Sequence, residues 1–204
     1  MKQKKKSIFV ELTTTNDCNC NCTYCFEKCS SKKHVTIDRY QNRVQQLIAD
    51  ACKDFDKDKY DWFTVSFWGG EPFLNVEFIA DIIRSTYEYE FVRYNFFSNG
   101  TLTEAYKKFL TYDFIDQIRD RIHIQLSYDG EPHHSVKRED NRHLIFEVAD
   151  MLKANSISFD FKATLSFDMI KYLPQIWDSY CELHDRYGKT VTYYPTLDTT
   201  KSDM

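Results

Sequence analysis

Ile8-Phe9-Val10-Glu11-Leu12-Thr13-Thr14-Thr15-Asn16-Asp17-Cys18-Asn19-Cys20-Asn21-Cys22-Thr23-Tyr24-Cys25-Phe26 begins as an apolar run and breaks into closely spaced cysteines. Ile8 to Leu12 reads as a strand, so the cysteines fall in the loop that leaves its carboxyl end. A helical pattern comes next: Ile37, Tyr40, Val44, Leu47, Ile48, Ala51 and Phe55 recur at three- and four-residue steps, and Thr36 is placed to cap the start. Phe63-Thr64-Val65-Ser66-Phe67-Trp68 is β-branched and aromatic and ends in Gly69-Gly70, the mark of a second strand.

The alternation continues outward. A helix is expected around Val76, Ile79, Ile82 and Ile83, a strand from Tyr94 to Ser98, and a helix around Ala105, Phe109, Phe114 and Ile118. Strands near His123 to Ser127, Ser158 to Leu165 and Thr190 to Tyr194 follow, separated by helices near Leu144 to Leu152 and Leu173 to Tyr187. Strands alternating with helices imply right-handed crossovers and a parallel sheet. A closed eightfold barrel needs about 250 residues. For 204 residues the expectation is therefore an α/β fold, a partial (β/α)6 TIM-like barrel ending after strand six. Residues 1–6 read as a basic tail and 7–204 as one core domain. No helix is expected to cover the last strand before Thr199-Thr200-Lys201-Ser202-Asp203-Met204, which points to truncation or to a partner protein on that edge.

Composition narrows the function. The net charge is -4, and the one concentrated basic run is Lys2, Lys4, Lys5 and Lys6, so no basic stripe suggests nucleic acid. No apolar run approaches the ~20 residues of a membrane span, and no secretory signal follows the charged start. The expected location is the cytoplasm. Seven cysteines, an odd number and clustered, suit metal binding in a reducing compartment better than a disulfide framework.

Three residues separate Cys18 from Cys22, and two separate Cys22 from Cys25. That spacing brings three thiolates within reach of one cubane iron–sulfur cluster and leaves one iron open to another ligand. Cys20 and Cys29 lie close by, so four of these five cysteines forming a closed tetrahedral zinc site is the alternative.

The segment Thr15 to Phe26, with Tyr24 just before the third cysteine, resembles the cluster loop of the radical S-adenosylmethionine (SAM) enzymes. The resemblance implies a [4Fe–4S] cluster held by Cys18, Cys22 and Cys25, SAM on the fourth iron, and Tyr24 near the adenine. Gly69-Gly70-Glu71-Pro72 resembles the same family's motif for the SAM amino group, which backbone carbonyl and carboxylate acceptors suit; a plain tight turn is the alternative. Ser98-Asn99-Gly100-Thr101 is similar to a third family segment with Ser98 for the usual threonine, and would place Asn99 in the cofactor pocket, though Asn-Gly is also a common turn pair.

Ser127-Tyr128-Asp129-Gly130 resembles a segment of the subgroup that modifies peptides and proteins, including the anaerobic sulfatase-maturing enzymes. It implies that Ser127 and Asp129 face the active site; the plain alternative is an Asp-Gly turn. His134 and Arg138 stand one position away from the family's histidine and arginine, which weakens a SAM-carboxylate role for Arg138. Lys162, on one face of strand five with Thr164, reads either as a charge for that carboxylate or as a snorkelling surface lysine.

The function implied is reductive cleavage of SAM to a 5′-deoxyadenosyl radical that takes hydrogen from a peptide or small-molecule substrate. The electron would come from a donor such as flavodoxin or ferredoxin, and the cluster would be oxygen-sensitive. The subgroup's cysteine-rich C-terminal extension has no counterpart, since only Cys181 follows Cys52. A fragment, a minimal enzyme and a decayed copy all account for that. The other readings are a compact radical SAM enzyme of another subgroup, such as a deazapurine synthase or glycyl-radical activase, and a non-catalytic cluster- or zinc-binding module.

Overall fold

A computed structural model describes residues 6–25 and 40–188 and the backbone of 191–195. Six parallel strands run in sequence order across one sheet: β1 (Ser7–Thr15), β2 (Trp62–Gly69), β3 (Val92–Ser98), β4 (Ile122–Ser127), β5 (Ser158–Leu165) and β6 (Val191–Pro195). Between them lie α1 (Gln41–Lys53), α2 (Val76–Arg84), α3 (Thr103–Leu110), α4 (Ile115–Ile118), α5 (His133–Lys137), α6 (Arg142–Ala154) and α7 (Leu173–Tyr187).

Period-two burial shows which face the helices cover. Val92, Tyr94 and Phe96 of β3, Ile122, Ile124 and Leu126 of β4, and Phe159, Phe161 and Ala163 of β5 are buried. Their alternate neighbours lie on the opposite, concave face, as pleating requires. The core fills the space between sheet and helices, with Phe73 stacked on Tyr106 at 3.9 Å between ring centroids and edge-on to Phe109. Pro174 sits in the first turn of α7, and Gly188 ends that helix in a left-handed conformation, its N–H bonding His184 O.

The expected (β/α)6 barrel is corrected to a five-strand partial barrel. Each of β1–β5 precedes a helix whose apolar face is packed into one continuous core with the sheet. By contrast, β6 joins by backbone pairing along β5, from Phe161↔Val191 to Leu165↔Pro195. No helix follows it among the described residues, so among them five strand–helix units are complete.

Smaller expectations also shift. Ile37 and Thr36 lie outside the described residues, and Phe55 is beyond the end of α1, where its ring stacks on Phe91 at 4.2 Å. The single helix expected from Ala105 to Ile118 is two, α3 and α4, because Thr111 turns its hydroxyl back onto Lys108 O and Tyr112 folds against Phe114. Among the described residues no helix is long and apolar enough to cross a membrane.

Candidate functional site

The carboxyl ends of β1–β5 bring the sequence motifs to one edge of the sheet. There the backbones of Gly69 and Gly70 lie directly against the start of the cysteine loop. A Cβ built on Gly69 would stand 2.2 Å from Thr15 O, and one on Gly70 2.2 Å from Asp17 O. Any larger residue would push the loop away. Gly69 also has φ +137°, a conformation open mainly to glycine. Two hydrogen bonds close the contact: Gly70 N–H donates to Thr15 O and Glu71 N–H to Asp17 O, both at 2.8 Å.

Glu71 is fully buried beneath this clasp. Its carboxylate accepts from Asn99 N–H at 2.7 Å, Ser98 Oγ at 2.8 Å and Phe73 N–H at 3.1 Å. Burial pushes its pKa up to about 7, with those three donors holding it back. Asn99 in turn donates from Nδ2 to Asn19 Oδ1 at 2.8 Å and, more weakly, to Cys18 Sγ at 3.8 Å, while Asn19 Nδ2 reaches Thr101 Oγ1 at 2.7 Å. The loop after β3 therefore supports the cysteine loop from below.

The loop after β4 holds the other side. Asp129 is fully buried, and its Oδ2 accepts a short hydrogen bond from the Tyr24 hydroxyl and one from Arg138 Nε at 3.0 Å. Its Oδ1 accepts from Thr164 N–H at 2.8 Å. Burial alone would raise the Asp129 pKa, but the Arg138 charge, with His133, the Thr164 amide and Tyr24, carries it well below the usual carboxylate range. Arg138 Nε also donates to Tyr24 Oη at 2.5 Å, and Thr23 N–H donates to Lys137 O at 2.8 Å. The two residues between Cys22 and Cys25 are thus both anchored to the end of α5.

Cys18 is exposed and Cys22 buried. A hydrogen bond from the Cys20 thiol draws the Cys18 thiol down to about 6 against the effect of burial, with the Cys20 amide, Asn99 and Arg138 assisting. Burial pushes the Cys22 thiol up, opposed by the Arg138 charge. A lowered thiol pKa favours the thiolate, the form that binds iron. Among the described residues, no three His, Cys, Asp or Glu side chains converge on a point that one metal ion would fill. A tetrahedral zinc site needs such convergence, whereas a cubane cluster takes each thiolate on a different iron. Cys29, a ligand in the zinc alternative, lies outside the described residues.

Several of these partners were not among the expected site residues. Asn19, Thr101, His133, His134 and Asn141 were not singled out as site residues, yet each is tied to the loop or to Asp129. His134 Nε2 pairs with Asn141 Oδ1 at 2.9 Å, and Asn141 Nδ2 donates to Cys20 Sγ at 3.7 Å. The adjacent His133 and His134 are both buried because they sit on a helical turn and not on a strand. Their short distance from Asp129 in sequence, and the place of His134 one position from the family's histidine, hinted at this. Ser127, half-buried at the end of β4, is in register with Lys162. Lys162 Nζ lies 5.9 Å from the Phe97 ring centroid on the concave face.

Residues 12–187 match the Radical SAM superfamily. The chain is 30% identical over 94 residues to uncharacterized protein MJ0907 of Methanocaldococcus jannaschii, covering 45% of this chain and 30% of that protein. In fold it is similar to native anSMEcpe with bound AdoMet and Kp18Cys peptide, at a TM-score of 0.72 and 18% identity, over 96% of this chain and 52% of that one. It is similar also to SuiB of Streptococcus suis bound to S-adenosylmethionine, at 0.65 and 12%, over 95% of this chain and 42% of that one. The chain thus spans about half the length, or less, of these relatives.

Proposed function

Because the chain belongs to the radical SAM superfamily, we propose that it forms the cofactor-binding core of a radical SAM enzyme acting on a peptide or protein. The observation that carries this reading is the clasp itself: Gly69 and Gly70 leave room for a cysteine loop to lie against the sheet end, and nothing larger fits. Cys18, Cys22 and Cys25 would hold three irons of the [4Fe–4S] cluster. Gly69, Gly70, Glu71, Asn99, Ser127, Asp129 and Tyr24 would frame SAM. When bound, the two cofactors supply reductive cleavage of SAM and an oxidant strong enough to take hydrogen from a C–H bond.

The chain's own residues do the positioning. Glu71 ties the turn after β2 to the loop after β3. Asn99 steadies Cys18, and Tyr24 is fixed by Asp129. A rigid frame of this kind places a reactive group against one bond and limits side reactions. Support for a peptide substrate comes from the likeness to anSMEcpe, which has been seen with AdoMet and a peptide bound, together with Ser127-Tyr128-Asp129-Gly130. A flavodoxin- or ferredoxin-like donor would deliver the electron. The clustered, odd number of cysteines favours a reducing compartment such as the cytoplasm.

The test is anaerobic reconstitution with iron and sulfide, dithionite reduction, addition of SAM and chromatography for 5′-deoxyadenosine. Release of deoxyadenosine that is lost in Cys22→Ser is expected. Tight zinc binding with no iron–sulfur chromophore would overturn the reading.

A further inference from the structure

We propose that Asp129 is the counter-charge that fixes the Arg138 guanidinium beside the cysteine loop and so sets the reduction potential of the cluster there. This rests on the reading of Cys18, Cys22 and Cys25 as cluster ligands. The geometry is closed on every side. Asp129 Oδ2 receives Arg138 Nε and the Tyr24 hydroxyl, and Oδ1 receives the Thr164 amide. His133 Nε2 accepts from Ser166 N–H at 3.0 Å, and its Nδ1 stands 3.4 Å from Asp129 Oδ2. The carboxylate has no freedom to turn.

Arg138 is equally constrained. Its guanidinium lies 5.5 Å from the Tyr24 ring centroid, its Nε bonds the Tyr24 oxygen, and the residue before it accepts from the Thr23 amide. Thr23 and Tyr24 are the residues between Cys22 and Cys25, so a positive charge is pinned to the middle of the ligand loop. Among the described residues Asp129 is the one carboxylate in ionic contact with it. Both side chains are almost wholly shielded from water, at 10% and 0% exposure, where a unit charge is weakly screened. Reduction adds a negative charge to the cluster, and local net charge is one of the determinants of cluster potential. An Arg138 without its partner would favour the reduced state, and loss of Arg138 would favour the oxidised one.

The experiment is an EPR-monitored redox titration of the reconstituted full chain with mediator dyes. Asp129→Asn is expected to move the midpoint upward, Arg138→Gln downward, and the double variant back close to wild type. Arg138→Lys keeps the charge and is expected to stay near wild type. Single variants that shift in the same direction, or that do not shift while holding full iron, would overturn the proposal. If a single variant loses the cluster, the double variant decides, since it leaves no unpaired buried charge: a wild-type potential supports the charge pair, and failure to load overturns it. Failure of wild type to take up a cluster would instead sink the ligand assignment.

Discussion

The cysteine loop is gripped at two ends by different physics. At its start, Thr15 to Asp17 lies against Gly69 and Gly70 through backbone contact alone, and the grip works because side chains are absent. At its finish, Thr23 and Tyr24 are held by Asp129, Arg138 and Lys137, largely through charged side chains in a buried setting. The first grip tolerates no added atom, and the second tolerates no lost charge. A backbone contact is insensitive to pH and salt, whereas a charge pair also shapes the field around whatever the loop holds.

The comparison can be broken most forcefully at the charged end. Asp129→Ala leaves a buried guanidinium without a partner, a change that costs about 3–5 kcal/mol; urea unfolding of the cluster-free protein is expected to show it, and Asp129→Ala/Arg138→Met should recover much of the loss. At the glycine end, Gly70→Ala forces a methyl group onto Asp17 O and is expected to cost about 3 kcal/mol and to lower iron uptake. Gly188→Ala is the control. It has φ +62° but nothing within 4 Å of an added Cβ, so only the conformational cost of about 1–2 kcal/mol applies.

Between the two ends, Glu71 makes stability depend on pH. Its folded pKa is raised from 4.5 to about 7, so the folded state binds its proton more tightly than the unfolded chain. The stability it contributes is fully present below about 4.5 and is lost as pH rises through about 7, on the order of 3 kcal/mol. Urea midpoints of the cluster-free protein across that window are expected to fall with a steeper slope in wild type than in Glu71→Gln. Tyr24→Phe removes the hydroxyl's hydrogen bonds to Asp129 and Arg138 and is expected to cost about 2 kcal/mol. Thermal melts should register it without loss of the strand register, and parallel slopes in the two pH series would remove Glu71 from this account.

Much of the fold was legible because it rests on local patterns. The β5 span Ser158 to Leu165 and the α7 span Leu173 to Tyr187 follow from apolar periodicity and coincide with the structure. Misreadings fell where tertiary contacts decide: Phe55 leaves the helix to stack on Phe91, and Thr111 divides the helix expected through Phe114. The six-unit barrel failed for a related reason. Periodicity can announce a sixth strand, but only a following helix makes it a unit, and the described core closes with β5 and α7.

Residue order and spacing alone determined that three cysteines follow a first strand, that a Gly-Gly-Glu-Pro turn follows a second, and that strands and helices alternate. Those features depend on neighbours within a few residues, where backbone geometry leaves little choice. Only the tertiary structure decided that the two glycines are seats for the loop, that Glu71 joins two loops, and that Asp129, His133 and Arg138 close on Tyr24. Asp129 and Tyr24 are 105 residues apart in sequence. Their pairing exists because adjacent parallel strands deliver every carboxyl end to the same edge of the sheet, and burial there leaves each charge in need of a partner.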